Sequence, residues 1–249
     1  MQDWFVRVVS MQKLTTIHLM RHGEVDNPDG VLYGRLPGYH LTDLGKQMAQ
    51  MSAEYLLEKG AYLEAIISSP LERAVESATP ASQLFDLPIS TDKRLLESMN
   101  MFEGEVVNGN RAALFHPRNW PRYRNVLRPS WCEPYAVQAS RVREAVRSAL
   151  HSPIKDSSRL GHSDDGSQIR EILLVSHQLP IWAFRLFVEG RPLAHLPNRR
   201  QCSLASLTSL TFLGNTLISL DYCEPAAPLL ARASDMVPGT SAAALNQGN

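Results

Sequence analysis

Arginine and histidine stand side by side in the tetrad Arg21-His22-Gly23-Glu24. The tetrad directly follows an apolar run at residues 16–20, whose length is typical of a buried strand, and Gly23 is typical of the turn that ends it. A guanidinium clamps phosphate oxygens in bidentate fashion, and a neutral imidazole nitrogen can attack phosphorus. The tetrad therefore indicates chemistry on a phosphorylated substrate. We expect Glu24 to orient the loop and not to react.

Two later strand ends carry the same kinds of side chain. Arg73 follows a second apolar run, and His177 follows a third. Because open α/β sheets bind ligands where strands end, we expect Arg21, His22, Arg73 and His177 to converge. A helix that begins near Leu71 would hold Arg73 in its first turn, where the positive end of the helix dipole favours anions. Two guanidinium groups and two imidazoles together would form a pocket for a tetrahedral dianion.

Hydrophobic periodicity predicts strands that alternate with helices. Apolar residues recur at helical spacing after Thr42, a predicted N-cap, and stop at Gly60. Pro80 is expected to interrupt or kink the next helix. The pattern predicts a three-layer α/β/α sandwich with a mainly parallel central sheet, which a late hairpin makes mixed. Further strands are predicted at 65–68, 89–91 and 172–176, further helices at 133–153 and 180–190, and the hairpin at 204–222.

The chain divides into one main domain with additions. We expect residues 13–224 to form the catalytic domain, with an N-terminal extension at 1–12 and a disordered tail at 225–249, which is rich in Ala, Pro and Ser. Within the domain, residues 106–132 read as a basic insertion and residues 152–168 as a polar surface loop.

The basic insertion has no acidic residue, and its five arginines interleave with aromatic residues. Three interpretations are open: an RNA-contacting patch, an electropositive lid over the active site, or a solvated excursion. We favour the lid, because basic loops steer phosphorylated substrates.

Composition excludes several classes of protein. The 249 residues contain 25 Lys and Arg and 25 Asp and Glu, so the formal net charge is zero. A neutral chain gives no overall attraction to nucleic acid or to an anionic membrane. The three cysteines are widely spaced and follow no metal-ligand pattern, which is typical of free thiols in a reducing compartment. No signal peptide or membrane-spanning run is present, so we expect a cytoplasmic protein.

The order of these motifs, from about Thr15 to Tyr222, resembles the histidine phosphatase superfamily, also called the phosphoglycerate mutase-like family. The resemblance implies a phosphoglycerate mutase-like fold, with His22 as the nucleophile that becomes phosphohistidine. The implied site comprises two groups: the catalytic residues His22, Glu97 and His177, and the phosphate-binding residues Arg21, Asn27, Arg73 and His177.

Some positions depart from the family pattern. The proton donor follows a Leu-x-Glu stretch in the family, which makes Glu97 the candidate, but the stretch that follows is shortened and leaves Glu103 as an alternative. Phe102 stands in place of a tryptophan, and Gln178 in place of the glycine that often follows the second histidine. Asn27 matches the asparagine that reaches the phosphate, although at compressed spacing.

Three functions fit this pattern. The first is a metal-independent phosphatase of the histidine acid phosphatase type, which hydrolyses small phosphomonoesters through phosphohistidine. In this scheme the arginines replace magnesium, no cofactor is needed, and Glu97 protonates the departing alkoxide and then deprotonates water. The second is a cofactor-dependent phosphoglycerate mutase, and the third a non-catalytic phospholigand-binding module. The expected partner is a small phosphorylated metabolite, not nucleic acid or membrane; its identity and the oligomeric state stay open.

Overall fold

The computed structural model describes residues 13–106, 117, 120, 131–153, 159–162 and 168–235. Within these residues, strands and helices follow each other along the chain in the predicted alternation. The strands are β1 (Lys13–Arg21), β2 (Leu63–Ser68), β3 (Ile89–Thr91), β4 (Gly161–His162), β5 (Gln168–Ser176), β6 (Leu207–Leu213) and β7 (Thr216–Cys223). The α-helices are α1 (Asp43–Glu58), α2 (Glu72–Phe85), α3 (Tyr135–His151), α4 (Gln178–Val188) and α5 (Ala227–Leu230), and short 3-10 helices cover Lys93–Leu95 and Pro197–Arg199.

The strands form one mixed sheet in the order β3-β2-β5-β1-β6-β7, and the short β4 pairs with β5. The first four strands in this order are parallel to one another, whereas β6 and β7 are antiparallel to their neighbours. In the register, Arg21 lies beside Ser176, and Ser68 lies beside Val175. The carboxyl ends of β2, β5 and β1 therefore lie at one edge of the sheet.

Helices cover both faces of the sheet, as the strand periodicity requires. Alternate residues point to opposite faces, so Ile172 and Leu174 of β5 pack towards α3 and α4, whereas Leu173 and Val175 pack towards α1 and α2. Full burial of each such side chain contributes about 1.5–3 kcal/mol relative to exposure. The result is the three-layer α/β/α sandwich with a mainly parallel, mixed sheet that the sequence predicts.

The ends of α1 follow the local chemistry of the sequence. Thr42 is the N-cap, and its Oγ1 accepts a hydrogen bond of 2.9 Å from the N–H of Gly45. Gly60, just beyond the helix, has a φ of +69°, which a residue with a side chain rarely adopts. Pro80 does not interrupt α2, which continues to Phe85. The buried Ala78 and Ala81 on either side of the proline pack against the sheet and hold this part of the helix in place.

The prediction of a disordered tail at 225–249 is wrong for residues 225–235. Residues 225–235 are folded: α5 and Ala233 pack against a small buried cluster around Met48 and Leu204. The alanine- and proline-rich composition does not predict this contact. A few apolar side chains are nevertheless enough to dock a short segment. Residues 236–249 lie outside the described residues, as do residues 1–12.

Two further predicted segments are described only in part. The polar loop at 152–168 contains β4, which pairs with the start of β5. Most of the basic insertion at 106–132 lies outside the described residues, so its role as a lid stays a prediction. Among the helices that the structure describes, none combines the length and the apolar character needed to cross a membrane.

Candidate active site

The predicted arginine-histidine pair lies where β1 leaves the sheet. The N–H of His22 donates to the carbonyl of Ser176 at 3.2 Å, and the N–H of Ser69 donates to the carbonyl of Val175 at 2.8 Å. These bonds align the residues that follow β1, β2 and β5. Gly23 is required here, because a Cβ at this position would lie 2.3 Å from the carbonyl oxygen of Gly45. The close approach brings the start of α1 against the loop.

The two predicted histidines meet at this edge. The ring centroids of His22 and His177 are 5.1 Å apart, with the planes tilted by 60°. Both side chains are buried, His22 at 2% exposure and His177 at 0%. The residues are far apart in sequence, so their proximity depends on the parallel pairing of β1 with β5. The predicted convergence of the two imidazoles is therefore present in the fold.

His22 is held as a neutral imidazole whose Nε2 carries the lone pair. Its Nδ1 lies 2.7 Å from the carbonyl oxygen of Gly23, which can only accept, so Nδ1 carries the proton. Burial lowers the pKa of His22 well below 6.5, and the positive charges of Arg73 and Arg21 lower it further. Nε2 therefore keeps its lone pair at neutral pH. A neutral, oriented nitrogen of this kind is a competent nucleophile.

Arg73 lies in the first turn of α2 and is fully buried, with 0% exposure. Its Nη2 donates to the carbonyl of Gly34 at 2.6 Å, and its guanidinium lies 4.7 Å from the centroid of the Tyr33 ring. Within the described part of the chain no carboxylate lies within 4.0 Å of its nitrogens, and Nε and Nη1 have no hydrogen-bond partner. Burial lowers the pKa of Arg73, yet a guanidinium stays charged at neutral pH. Arg73 is thus a buried cation suited to an anion.

Arg21 is also buried but has a carboxylate partner. Nη1 and Nη2 donate to the two oxygens of Asp235 at 2.7 and 2.8 Å, and Nη1 also donates to the carbonyl of Cys202 at 2.8 Å. Burial by itself lowers the pKa of Arg21, but the charge and hydrogen bonds of Asp235 outweigh it and raise the pKa. Nε has no partner among the described residues.

His177 directly precedes α4, and one nitrogen of its ring has no partner among the described residues. Its Nε2 lies 2.8 Å from Oγ of Ser69, while Nδ1 has no partner in the described ranges. Burial lowers the pKa of His177, as do the nearby charge of Arg73 and the ring of His22. When the Ser69 hydroxyl donates to Nε2, the proton of the neutral ring lies on Nδ1.

Four buried nitrogens around His22 therefore lack partners among the described residues: Nε of Arg21, Nε and Nη1 of Arg73, and Nδ1 of His177. An unpaired buried polar group costs about 1–3 kcal/mol, so a fold rarely concentrates them without a ligand to receive them. Donors that surround one nucleophile match the needs of a tetrahedral oxyanion.

The structure distinguishes the two candidate proton donors by their surroundings. Burial raises the pKa of Glu97, although the Ser98 N–H, which donates to its Oε1 at 2.7 Å, and the charge of Arg73 oppose the shift. A raised pKa suits a carboxylic acid that must hold a proton. Glu103 instead accepts from the N–H of Asn100 at 3.2 Å and fills the space beside Gly34. The assignment of Glu97 as the donor stays a prediction.

Asn27 lies in the loop after the tetrad, and its amide closes that loop. Its Nδ2 donates to the carbonyl of Val31 at 2.9 Å, and its Oδ1 accepts from the N–H of the same residue at 3.0 Å. Asn27 lines a cavity of about 270 Å³ together with Tyr33 and Asp235. Contact between Asn27 and phosphate stays a prediction.

Gln178, which departs from the family glycine, connects neighbouring groups of the site. Its Nε2 donates to the carbonyl of Cys202 at 3.4 Å, and its Oε1 accepts from Nη1 of Arg200 at 3.3 Å. The same carbonyl of Cys202 accepts from Arg21. The larger side chain is therefore accommodated by a hydrogen-bond network that also includes Arg21.

Sequence reasoning missed Asp235, Ser69 and Tyr33. Asp235 lies in a segment whose composition predicts disorder, and no local pattern signals its contact with Arg21. Ser69 follows β2 and offered a positional signal, because it lies at a strand end beside the predicted site. In the described ranges, no group of three or more His, Cys, Asp or Glu side chains is arranged to hold a metal ion.

A model of the histidine phosphatase superfamily (branch 1) matches residues 17–223, so the chain belongs to this superfamily. An uncharacterised protein of Mycobacterium tuberculosis, Rv0525, is 43% identical over 220 residues, which are 87% of this chain and 100% of the relative. A 2,3-bisphosphoglycerate-dependent phosphoglycerate mutase of Thermoplasma acidophilum is 36% identical over 80 residues, 32% of this chain and 39% of the mutase.

Solved structures share the fold. A mycobacterial glucosyl-3-phosphoglycerate phosphatase, Rv2419c, superposes with a TM-score of 0.63 at 24% identity, covering 84% of this chain and 98% of the other. A phosphoglycerate mutase from Bacillus anthracis superposes with a TM-score of 0.60 at 17% identity, covering 89% and 97%. The phosphoglycerate mutase-like architecture predicted from the sequence is confirmed.

Proposed function

We propose that the protein is a metal-independent phosphatase that hydrolyses small phosphomonoesters through a phosphohistidine on His22. The observation that carries this proposal is the neutral, oriented imidazole of His22, which lies close to Arg21, Arg73 and His177. Each of these three neighbours has a buried nitrogen with no partner among the described residues. Arg21 and Arg73 supply the positive charge that stabilises the transferring phosphoryl group. This role of the arginines supports the expectation that no metal is required.

The reaction has two steps. In the first, Nε2 of His22 forms a bond to phosphorus while the bond from phosphorus to the ester oxygen breaks, and Glu97 gives its proton to the departing alkoxide. In the second, Glu97 takes a proton from water, the water oxygen bonds to phosphorus, and the phosphorus–nitrogen bond breaks. Inorganic phosphate leaves, and His22 and Glu97 return to their starting protonation states.

The test is hydrolysis of p-nitrophenyl phosphate by the wild-type protein and by the variant His22→Ala. We expect the variant to lose at least about 10³-fold in kcat, because no other group replaces the nucleophile. His151→Ala is the matched control, since this exposed histidine lies on α3 and bonds only to the carbonyl of Arg147 among the contacts described. An alkaline quench during turnover should trap phosphate on wild-type His22. Full activity in His22→Ala would overturn the proposal.

A mutase is the second candidate, supported by the 36% identity over 80 residues to the Thermoplasma acidophilum mutase. A mutase forms the same phosphoenzyme but returns the phosphoryl group to bound product. Incubation with 3-phosphoglycerate and 2,3-bisphosphoglycerate distinguishes the two, because isomerisation without net phosphate release would identify a mutase. Binding of phosphate with neither reaction would identify a non-catalytic module.

The physiological partner is proposed to be a small phosphorylated metabolite in the cytoplasm. Cys132, Cys202 and Cys223 form no disulfide among the described residues, which supports a reducing compartment.

A further inference from the structure

Asp235 makes a bidentate contact with the phosphate-site arginine from far along the chain. A guanidinium carries five N–H groups, which form one fork between Nη1 and Nη2, a second fork at the edge that contains Nε, and one further N–H. Asp235 occupies the fork between Nη1 and Nη2 of Arg21, and the Cys202 carbonyl accepts a further bond from Nη1. The edge that contains Nε is left without a partner among the described residues. The carboxylate therefore uses one side of the guanidinium and leaves the other side for a second anion.

The segment that carries Asp235 is anchored along its length. We call residues 224–235 the closing segment. At its start the carboxylate of Glu224 accepts from the hydroxyls of Ser203 and Tyr222, each at 2.7 Å. In its middle, α5 and Ala233 pack on the buried cluster beside α1. At its end the N–H of Ser234 donates to Glu24 at 2.5 Å.

Glu24 connects this end of the segment to the catalytic loop. Its other carboxylate oxygen accepts from Oγ1 of Thr42, the N-cap of α1. The residue of the tetrad that was expected to orient the loop thus also holds the residue next to Asp235. Glu24 thus holds the end of the closing segment against the loop that follows Arg21. This contact fixes the position of the neighbouring Asp235 carboxylate.

A carboxylate beside a phosphate-binding arginine can act in two opposite ways. It can compete with the phosphate dianion, since both are anions, or it can fix the guanidinium so that its free edge meets the phosphate. The bidentate contact restricts the guanidinium plane, and it does not use Nε. Restriction of this kind lowers the entropy that is lost when phosphate binds. The geometry favours the positioning role.

We propose that Asp235 is a positioning residue of the phosphate site, which holds the Nη1–Nη2 fork of Arg21 so that the Nε edge receives the phosphoryl oxygens. The closing segment is thereby part of the active site. This inference rests on the proposed function only in assigning phosphate to this pocket.

The experiment compares Asp235→Asn with the wild-type protein, with inorganic phosphate as the probe in isothermal titration calorimetry. We expect phosphate affinity to fall about tenfold or more, because a charge-assisted contact that orients Arg21 is lost. The matched control is Asp221→Asn, which removes the same charge from the exposed end of β7. Asp235→Glu, which keeps the carboxylate, should restore part of the affinity. Tighter phosphate binding by Asp235→Asn would show that Asp235 competes, and unchanged binding would also overturn the proposal.

A double-mutant cycle separates positioning from a general structural effect. In an Arg21→Met background, Asp235→Asn should have little further effect on kcat/KM for p-nitrophenyl phosphate, whereas a general loss of structure would add its full effect in both backgrounds. Additive effects would contradict the inference. If wild-type protein binds phosphate but hydrolyses nothing, the proposed function fails while the affinity comparison still decides the role of Asp235. If the wild-type protein binds no phosphate, both fail.

Discussion

Two arginines are equally buried but differ in whether a carboxylate pairs with them, so we expect one to serve function and the other stability. Arg73 and Arg170 both have 0% exposure. Arg170 forms an ion pair with the buried Glu64 and donates to Oγ of Ser152 at 2.6 Å. Arg73 has no carboxylate partner in the described part of the chain, and two of its nitrogens have no hydrogen-bond partner there. The same substitution by methionine, which keeps an unbranched apolar stem, should therefore have opposite effects on the free energy of unfolding.

Arg73→Met should stabilise the phosphate-free protein while it removes activity. Replacement of a buried ion pair by apolar residues is often neutral or stabilising by about 1–4 kcal/mol, and we expect the same sign for a buried cation without a carboxylate partner. The loss of the bond to Gly34 and of the contact with the Tyr33 ring offsets part of this gain. In catalysis, two charge-assisted hydrogen bonds to phosphate at about 1.5–3 kcal/mol each would be lost. At 1.36 kcal/mol per factor of ten, kcat/KM should fall by roughly 10²–10⁴.

Arg170→Met is the control, and it should destabilise the fold by about 3–5 kcal/mol because the buried carboxylate of Glu64 loses the cation that pairs with it. Urea unfolding followed by circular dichroism measures both variants. Phosphate at about 100 times its Kd should add about 2.7 kcal/mol to the wild type and much less to Arg73→Met. A less stable Arg73→Met variant that still gains stability from phosphate would show that Arg73, which has no carboxylate within 4.0 Å among the described residues, is not held for an anion.

Two further predictions concern protons. Glu97→Gln should lower kcat about 10²–10⁴-fold on an alkyl phosphate and much less on p-nitrophenyl phosphate, whose leaving group needs no proton; equal losses on both substrates would exclude Glu97 as the acid. Because the pKa values of His22 and His177 are lowered in the fold, the unfolded chain binds more protons below pH 6.5. Stability should therefore fall as pH drops below about 6.5, by up to about 1.4 kcal/mol per pH unit for each histidine, and more shallowly in His22→Ala. An equal slope in the variant, measured by urea unfolding between pH 5 and 7, would contradict the neutral assignment.

Local patterns determined the parts of the site that follow strands. Each strand that leads to a site residue contains an apolar run, and the site residue either lies at the end of the strand or follows within a few residues. Arg21 with His22, Arg73 and His177 could be predicted for this reason. The N-cap Thr42 and the helix-ending Gly60 could be predicted equally well. Helix capping and a left-handed backbone depend on neighbours only a few residues away.

Tertiary structure decided the pairings between distant segments. No feature of the neighbouring sequence distinguishes Arg170 from Arg73. Arg170 forms an ion pair with Glu64, whereas Arg73 has no carboxylate partner among the described residues. The raised pKa of Glu97, which supports it as the proposed proton donor, depends on burial, and burial acts only after the chain has folded around the carboxyl group. Asp235 reaches Arg21 because a few apolar contacts dock the closing segment on α1. The sequence by itself thus determined which chemical groups lie at the edge of the sheet, since strand ends are a local property. Only the fold decided which of their charges are neutralised, since that depends on contacts across the whole chain.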